Sequence, residues 1–266
     1  MGSEFGLSDR FSKLADRYLS TRASIRNVVR HALVARQLEA HPMEPPARVL
    51  DVGGGAGHQS IPLAREGHEV TILDPSSRML GEARRRQKAE DEEVQGRVRL
   101  VEGAGEEAPC LLGEASFDAA LCHGVLRYLE EARPMIEALA DLVRPGGVVS
   151  VLTKNASALA MRSALEGRYG DALAALDSDR DLGRLGVETR GDTVEGLTTL
   201  FERAGLEPVR WYGVRVFTDH LDDRSPGPEL SEILELEWEA SRREPYRSVA
   251  RLFHLVGRKT DSTQRS

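Results

Sequence analysis

The chain has 266 residues, 40% of them hydrophobic and 30% charged, and carries a net charge of −7. That composition suits one large globular domain with a sizeable core. No apolar run approaches the roughly 20 residues of a membrane span, the N-terminal stretch lacks a signal-peptide core, and the acidic balance disfavours nonspecific attraction to nucleic acid.

In chain order, Met1–Phe5 (MGSEF) reads as a cloning scar, residues 6–260 as a single domain and 261–266 as a tail. Residues 8–41 have helical spacing, with Leu14, Tyr18, Ile25, Val28, Val29 and Leu33 at apolar positions, and form an N-terminal helical cap that ends at the three prolines of HPMEPPA. Strand-like RVLDV (48–52) leads to a helix over about His58–Glu66. HEVTIL (68–73) is a second strand, SSRMLGEARRRQKAE a helix, RVRLVEG (97–103) a third strand and FDAALCHG (117–124) a fourth. A helix over about Ala132–Val143 and a turn at VRPGG (143–147) precede a fifth strand, VVSVLTK (148–154). Short apolar strands alternating with amphipathic helices predict an α/β fold with a mostly parallel sheet covered on both faces. Residues 155–192 break the rhythm: ASALAMRSALEGRYGDALAAL is helical, DSDRDLGRLGVETRGD is polar and turn-rich, and the whole reads as a lid or insertion. A helix near Thr193–Ala204, a strand over EPVRWYGVRVF (207–217), a helix over 230–243 and a strand in RSVARLFHLVGRK complete the domain.

Cys110 and Cys122 make neither a disulfide framework nor a zinc-ligand spacing, so no metal is expected, and both thiols are expected to be reduced in the cytoplasm. Charge is unevenly spread. Residues 22–36 hold Arg22, Arg26, Arg30 and Arg36 with no acid. Residues 242–259 hold Arg242, Arg243, Arg247, Arg251, Arg258 and Lys259 against Glu244. Each basic run alone reads as a solvated face; together they leave open a surface facing a polyanion.

LDVGGGAGHQS (50–60) puts four glycines in five positions after the first strand. The dinucleotide fingerprint G-x-G-x-x-G needs one more residue in its last interval, and no Lys-Ser or Lys-Thr follows as a phosphate loop requires. Asp51, two residues before Gly53, together with Gly53, Gly54, Gly55 and Gly57, instead resembles motif I of the class I S-adenosylmethionine-dependent methyltransferases. Missing β-carbons let a bulky sulfonium lie against main chain. Asp74 closes the second strand, where an acid can accept hydrogen bonds from both ribose hydroxyls. GAGEEAP (103–109) and LVRPGGVV (142–149) resemble the family's adenine-contacting segment and its post-helix turn.

The resemblance implies a Rossmann-like fold with a seven-stranded, mostly parallel sheet, helices on both faces and an N-terminal helical extension. It also implies S-adenosylmethionine as cofactor. LCHGVLRYL (121–129), GVRVFTDHL (213–221) and ELEWEASRREPYRSVARLFHLVGRK (235–259) resemble matching segments of bacterial tRNA 5-carboxymethoxyuridine methyltransferases, which esterify a carboxylate on a modified wobble uridine. On that resemblance Gly53 and Gly54 contact the cofactor's methionine portion, Asp74 its ribose, and Ala104 and Gly105 its adenine, with Glu106 accepting from the exocyclic amine. His123 faces cofactor or substrate, and Arg26 reaches over the cofactor from the N-terminal helix. Asp51 either holds the loop or faces the cofactor's amino group.

A carboxylate acceptor is already anionic at neutral pH and needs no general base, only a cationic clamp. Arg215 is the expected clamp, because Val214 and Val216 would point to the opposite face of an extended segment. Trp211 and Tyr212 beside it are either core or stack on a pyrimidine. The GAGEE segment departs from the family's more amide-bearing pattern. The 176–192 stretch offers Arg180, Arg184 and Arg190 against five acids where the tRNA enzymes carry lysines. The acceptor is therefore expected to be a tRNA anticodon loop or a small carboxylate or hydroxyl compound. A binding protein without turnover and, more distantly, a nicotinamide oxidoreductase are the readings from other classes.

Overall fold

The computed structural model describes residues 19, 21, 23–182, 186–221 and 223–261. Its first half runs α1 (Ile25–Glu39), β1 (Arg48–Val52), α2 (Ser60–Arg65), β2 (Glu69–Asp74), α3 (Ser77–Gln87), α4 (Glu92–Gly96), β3 (Val98–Glu102), α5 (Ala108–Leu112), β4 (Phe117–His123), α6 (Arg133–Leu142) and β5 (Val143–Lys154). The second half runs α7 (Leu159–Leu165), α8 (Tyr169–Leu176), β6 (Arg180–Leu182), β7 (Glu188–Arg190), α9 (Val194–Arg203), β8 (Leu206–Val214), α10 (Leu230–Ala240) and β9 (Leu252–Lys259).

Seven strands form one sheet in the order β3-β2-β1-β4-β5-β9-β8. β1 pairs in parallel with both β2 and β4, while β9 runs antiparallel to β5 and β8. The chain therefore works outward from β1 to β3 and then crosses back to β4. That reversal opens a crevice at the carboxyl ends of β1 and β4, where ligands of open α/β sheets bind. Period-two alternation divides the core between the two faces. Val49, Val70, Ile72, Leu121 and Leu152 pack with α1, α2, α3 and α4 on one face. Leu50, Val52, Leu73, Cys122 and Val151 pack with α5, α6 and α9 on the other. The apolar stripe of α1, Ile25, Val29, Leu33 and Leu38, lies in the first of these clusters, with Leu230, Ile233, Leu234 and Trp238 of α10 packed against it.

Several expectations are corrected. Residues 156–176 are not one helix: Gly167, at φ +77°, separates α7 from α8. The turn-rich stretch after α8 holds the two-stranded ribbon β6–β7. Its base is closed by Ala156 N–H donating to Asp192 O at 2.8 Å and Asp192 N–H to Lys154 O at 2.8 Å. VRPGG lies inside β5 as a register irregularity, with Phe117 opposite Val143 but Ala119 opposite Val148. The short helices α4 and α5 fall in segments too brief for periodicity to reveal. Of the predicted cap, Leu14 and Tyr18 lie outside the described residues, as do Arg22 and Arg184.

The strand predicted through residue 217 ends at Val214, and Arg215 takes φ +61°. Beyond it the chain is held by Glu237 of α10. Its carboxylate, fully buried, accepts from Val216 N–H at 2.8 Å, Phe217 N–H at 3.0 Å and the Thr218 hydroxyl at 2.7 Å. Because Glu237→Ala strands three donors at once, it should destabilise the protein by roughly 3 kcal/mol, read as a lower urea midpoint at unchanged slope, with Glu237→Gln losing less.

Candidate active site

The bend after β1 is built by glycines in the left-handed region: Gly53 at φ +66°, Gly55 at +56° and Gly57 at +73°. Gly53 N–H donates to Leu73 O at 2.7 Å, which ties the bend to β2. A β-carbon at Gly53 would collide with Val125, and one at Gly54 would lie 2.6 Å from Asp51 Oδ2. Main chain is thus left bare between β1 and the end of β4. Asp51 Oδ2 accepts from the hydroxyl of Ser60, the first residue of α2, at 2.5 Å. Burial pushes the Asp51 carboxyl up to about 7 despite that hydrogen bond. Asp74 Oδ2 accepts from Gly55 N–H at 3.0 Å and its Oδ1 from Ser76 N–H at 2.8 Å. Burial raises it to about 6, with the two amides acting against the shift. Beyond β3, Gly105–Glu107 form a 3₁₀ turn entered from extended Ala104, in which Gly105 is wedged against Met135 and Val52, while Glu106 is exposed.

His123 ends β4. Its Nε2 lies 2.8 Å from Ser150 Oγ, and its Nδ1 is out of solvent with no partner among the described residues. Burial, reinforced by Arg30, lowers the imidazole to about 3, so it is neutral at physiological pH.

Beside His123 lies a cavity walled by Arg26 and Arg30 of α1, Arg127, Lys154, Arg162, Arg215 and Arg251, with Val187 and Thr189 of the ribbon region. A β-carbon at Gly124 would lie 3.7 Å from Arg30 Nη1 and 4.0 Å from Arg127 Nη2, so the cavity abuts the end of β4. Carboxylates are fewer than cations. Asp181 pairs with Lys154 and, at 2.5 Å, with Arg251. Asp219 lies 3.2 Å from Arg215, 3.6 Å from Arg251 and 3.8 Å from Arg162, and Asp223 pairs with Arg26. Burial lowers Lys154 to about 8 and Arg215 to about 9, with Asp181 and Asp219 respectively acting against the shift; both stay cationic at neutral pH. Arg26 Nε, Arg127 Nε, Arg215 Nε and Arg251 Nη1 are all buried with no hydrogen-bond partner among the described residues. Both carboxylate oxygens of Asp219 likewise lack a hydrogen-bond partner among the described residues, so it is the excess of seven cations over Asp181, Asp219 and Asp223 that suits the cavity to an anionic ligand.

The fold brings Gly53, Gly54, Gly55, Asp51, Asp74, Ala104, Gly105 and His123 to one edge of the sheet, and Arg26 and Arg215 to the adjoining cavity. Arg215 arrives there by its left-handed backbone rather than by strand alternation. Tyr212 is buried against His41, Trp238 and His254 and cannot stack on a base; Trp211 is covered by the Arg247 guanidinium at 4.0 Å. The basic run 242–247 is spent on neighbouring acids, Arg242 and Arg243 on Glu239 and Arg247 on Glu244. Lys154, Arg127 and Arg162 were not singled out from the sequence, although a lysine closing the apolar run VVSVLTK is a signal for a buried cation. Among the described residues no His, Cys, Asp and Glu group is placed to hold a metal, and no helix is long and apolar enough to cross a membrane.

Residues 50–149 match the model of a methyltransferase domain. The chain is 31% identical over 258 residues to the tRNA 5-carboxymethoxyuridine methyltransferase of Escherichia coli K12, covering 96% of this chain and 95% of that one. It is 33% identical over 162 residues to the ubiquinone biosynthesis O-methyltransferase of Xanthomonas campestris pv. campestris (strain B100), covering 60% and 65%. Among solved structures, the magnesium protoporphyrin IX methyltransferase of Synechocystis PCC 6803, with bound S-adenosylhomocysteine, superposes at TM-score 0.60 with 20% identity over 92% of this chain and 93% of that one.

Asp51 and Asp74 set a pH dependence of their own. Both carboxyls sit higher in the folded chain than the usual value near 4, so folding favours their protonated forms. Their contribution is fully present below about pH 4 and lost as pH rises through 6 to 7. Asp51→Asn should therefore gain about 2–4 kcal/mol relative to wild type on going from pH 5 to pH 8, measured by paired denaturation curves.

Proposed function

The chain belongs to the S-adenosylmethionine-dependent methyltransferases, and from that premise we propose that it methylates a carboxylate oxygen, that of 5-carboxymethoxyuridine at the tRNA wobble position. The observation that carries this reading is the excess of seven basic side chains over three carboxylates around one cavity next to the glycine bend, with buried guanidinium nitrogens of Arg26, Arg127, Arg215 and Arg251 unpartnered among the described residues.

The residues fit the cofactor. The bare main chain at Gly53, Gly54 and Gly55 would receive its methionine portion, and Asp74, raised toward neutrality, would accept from the ribose hydroxyls. Ala104, Gly105 and Glu106 would flank the adenine, and Arg26 its carboxylate. When bound, S-adenosylmethionine supplies a methyl group already activated by its sulfonium. What the protein must add is orientation of the nucleophile. Arg215, Arg127 and Arg251 offer fixed N–H donors that can hold a carboxylate in one pose.

Two observations favour a carboxylate over a hydroxyl acceptor. A hydroxyl needs a base, and His123, lowered to about 3, is a poor one. A neutral hydroxyl would also leave the guanidinium donors without charge to answer them. For the RNA itself, the support is the similarity to the E. coli enzyme over nearly the whole chain. Phe217 and Tyr246, both exposed and 5.9 Å apart, supply aromatic surface two residues from Arg215 that Trp211 and Tyr212 do not. A small carboxylate as acceptor is favoured by one feature: Arg242, Arg243 and Arg247 are neutralised by adjacent acids, which thins the phosphate-facing charge.

Mass spectrometry of nucleosides from tRNA incubated with protein and cofactor should reveal the methyl ester of the carboxymethoxy nucleoside; fully modified tRNA left unchanged would move the assignment to a small acid. Binding of an anticodon stem-loop should weaken steeply between about 50 and 200 mM salt, and that of a small acid far less. Arg215→Lys should lower kcat/KM by roughly 100-fold while the affinity for S-adenosylhomocysteine, measured by calorimetry, stays within about threefold, since a point charge replaces a planar fork on the acceptor side only.

A further inference from the structure

One cross-strand row links four strands of the sheet. His123 of β4 is opposite Leu152 of β5, Leu152 is opposite His254 of β9, and His254 is opposite Tyr212 of β8. Ser150 stands two residues before Leu152 on the same face of β5, and α1 covers that face. Within this frame four polar side chains touch end to end. Gln37 of α1 lies with Oε1 2.8 Å from His254 Nδ1; His254 Nε2 is 2.7 Å from Ser150 Oγ; Ser150 Oγ is 2.8 Å from His123 Nε2. Gln37, Ser150 and His254 have no solvent exposure.

Such a chain has a direction, and its far end sets it. Gln37 Nε2 donates to Gly213 O at 3.3 Å, which leaves Oε1 facing His254 as an acceptor; the flipped amide would set two oxygens against each other. His254 must then carry its proton on Nδ1. Burial keeps that ring neutral, so its Nε2 is a bare lone pair. The Ser150 hydroxyl must donate to it, and is left as an acceptor toward His123. The His123 proton is thereby drawn to Nε2. Its Nδ1 is the nitrogen that ends without a partner, at the tip of β4.

We propose that Gln37, His254 and Ser150 form a hydrogen-bond relay that fixes His123 in its Nε2–H tautomer, so that Nδ1 presents a lone pair to the ammonium on the methionine portion of the cofactor. The strand order selects that group. Ribose and adenine are assigned to the tips of β2 and β3, on the far side of β1, whereas His123 stands on β4, where Val125 overlies Gly53. The ammonium is the one charged N–H donor of the methionine portion. Gln37, His254 and Ser150 act through His123 and are positioning residues. The relay rests on the cofactor of the family and not on the identity of the methyl acceptor.

The test reads tautomers directly. In cofactor-free protein with 15N-labelled histidine, long-range 15N–1H correlations should show His123 protonated on Nε2 and His254 on Nδ1, the two rings in opposite tautomers, with His123 assigned by its absence in His123→Gln. Ser150→Ala should give a mixture of tautomers at His123. By calorimetry it should bind S-adenosylhomocysteine about tenfold more weakly, while 5′-methylthioadenosine, which lacks the amino group, binds as to wild type. A proton on Nδ1 of His123 in the wild-type protein would overturn the relay, and that spectrum decides even if Ser150→Ala does not fold. A Ser150→Ala protein that keeps the wild-type tautomer, or that loses affinity for both ligands alike, would overturn it as well.

Discussion

More positive charge is buried around one cavity than the protein supplies carboxylates to meet. Lys154, Arg162, Arg215 and Arg251 share Asp181 and Asp219. Taking charges from water costs several kcal/mol per ion unless partners are brought to them, and the second half of the chain is arranged to bring them. The ribbon β6–β7 delivers Asp181 from a segment closed at its base on Lys154 and Asp192. The loop after β8 delivers Asp219 and is itself held by Glu237. Arg215 has a non-glycine residue's cost of about 1–2 kcal/mol for its left-handed backbone, and that turn places its guanidinium above Asp219. The remaining deficit is left for a ligand to answer.

The polar row from Gln37 to His123 solves a different problem on the same sheet face. α1 packs Ile25, Val29 and Leu33 into an apolar cluster, yet its stripe also carries Gln37 inward, fully buried. A single buried amide there would be a liability. It is instead satisfied at both ends, by Gly213 O and His254, and every later member has a partner until the last ring reaches the crevice. A fully connected network of this kind specifies one arrangement of its side chains, so α1, β5 and β9 are registered against β4 by hydrogen bonds as well as by packing.

Much of this was legible in the sequence where the physics is local. Glycines at 53, 55 and 57 announce a bend that only they can make, and Asp74 closes a strand marked by a short, nearly continuous apolar run. The mostly parallel character of the sheet follows from the alternation of strands and helices, whereas the insertion of β9 between β5 and β8 does not. What was not legible depended on which way a charge faces. Arg26, Arg30 and Arg36 lie in one basic run, yet Arg36 turns outward to Glu235 while Arg26 and Arg30 line the cavity. Charge content alone does not separate these, and Arg26 was set apart only by the family resemblance. Arg215 was reached by an argument from strand alternation that the structure replaces with a left-handed residue. Tyr212 was open to two readings, and its neighbours His41 and His254, distant in sequence, decide for the core.

The site is therefore divided electrostatically, and the division explains why a neutral histidine stands at its centre. A sulfonium donor is a cation, and it would be repelled by a cavity of seven basic side chains placed directly against it. On the glycine side the protein sets Asp51 and Asp74, both buried, whose elevated pKa values mark carboxyls poised to ionise when positive charge arrives. On the arginine side it leaves donors that an anion would complete. His123 lies between the two, and a protonated ring there would add another cation to the wall nearest the donor. Burial and the nearby Arg30 keep it uncharged. An arrangement that separates acids, neutral imidazole and arginines in this order lets a cationic donor and an anionic ligand each meet opposite charge on its own side of the site.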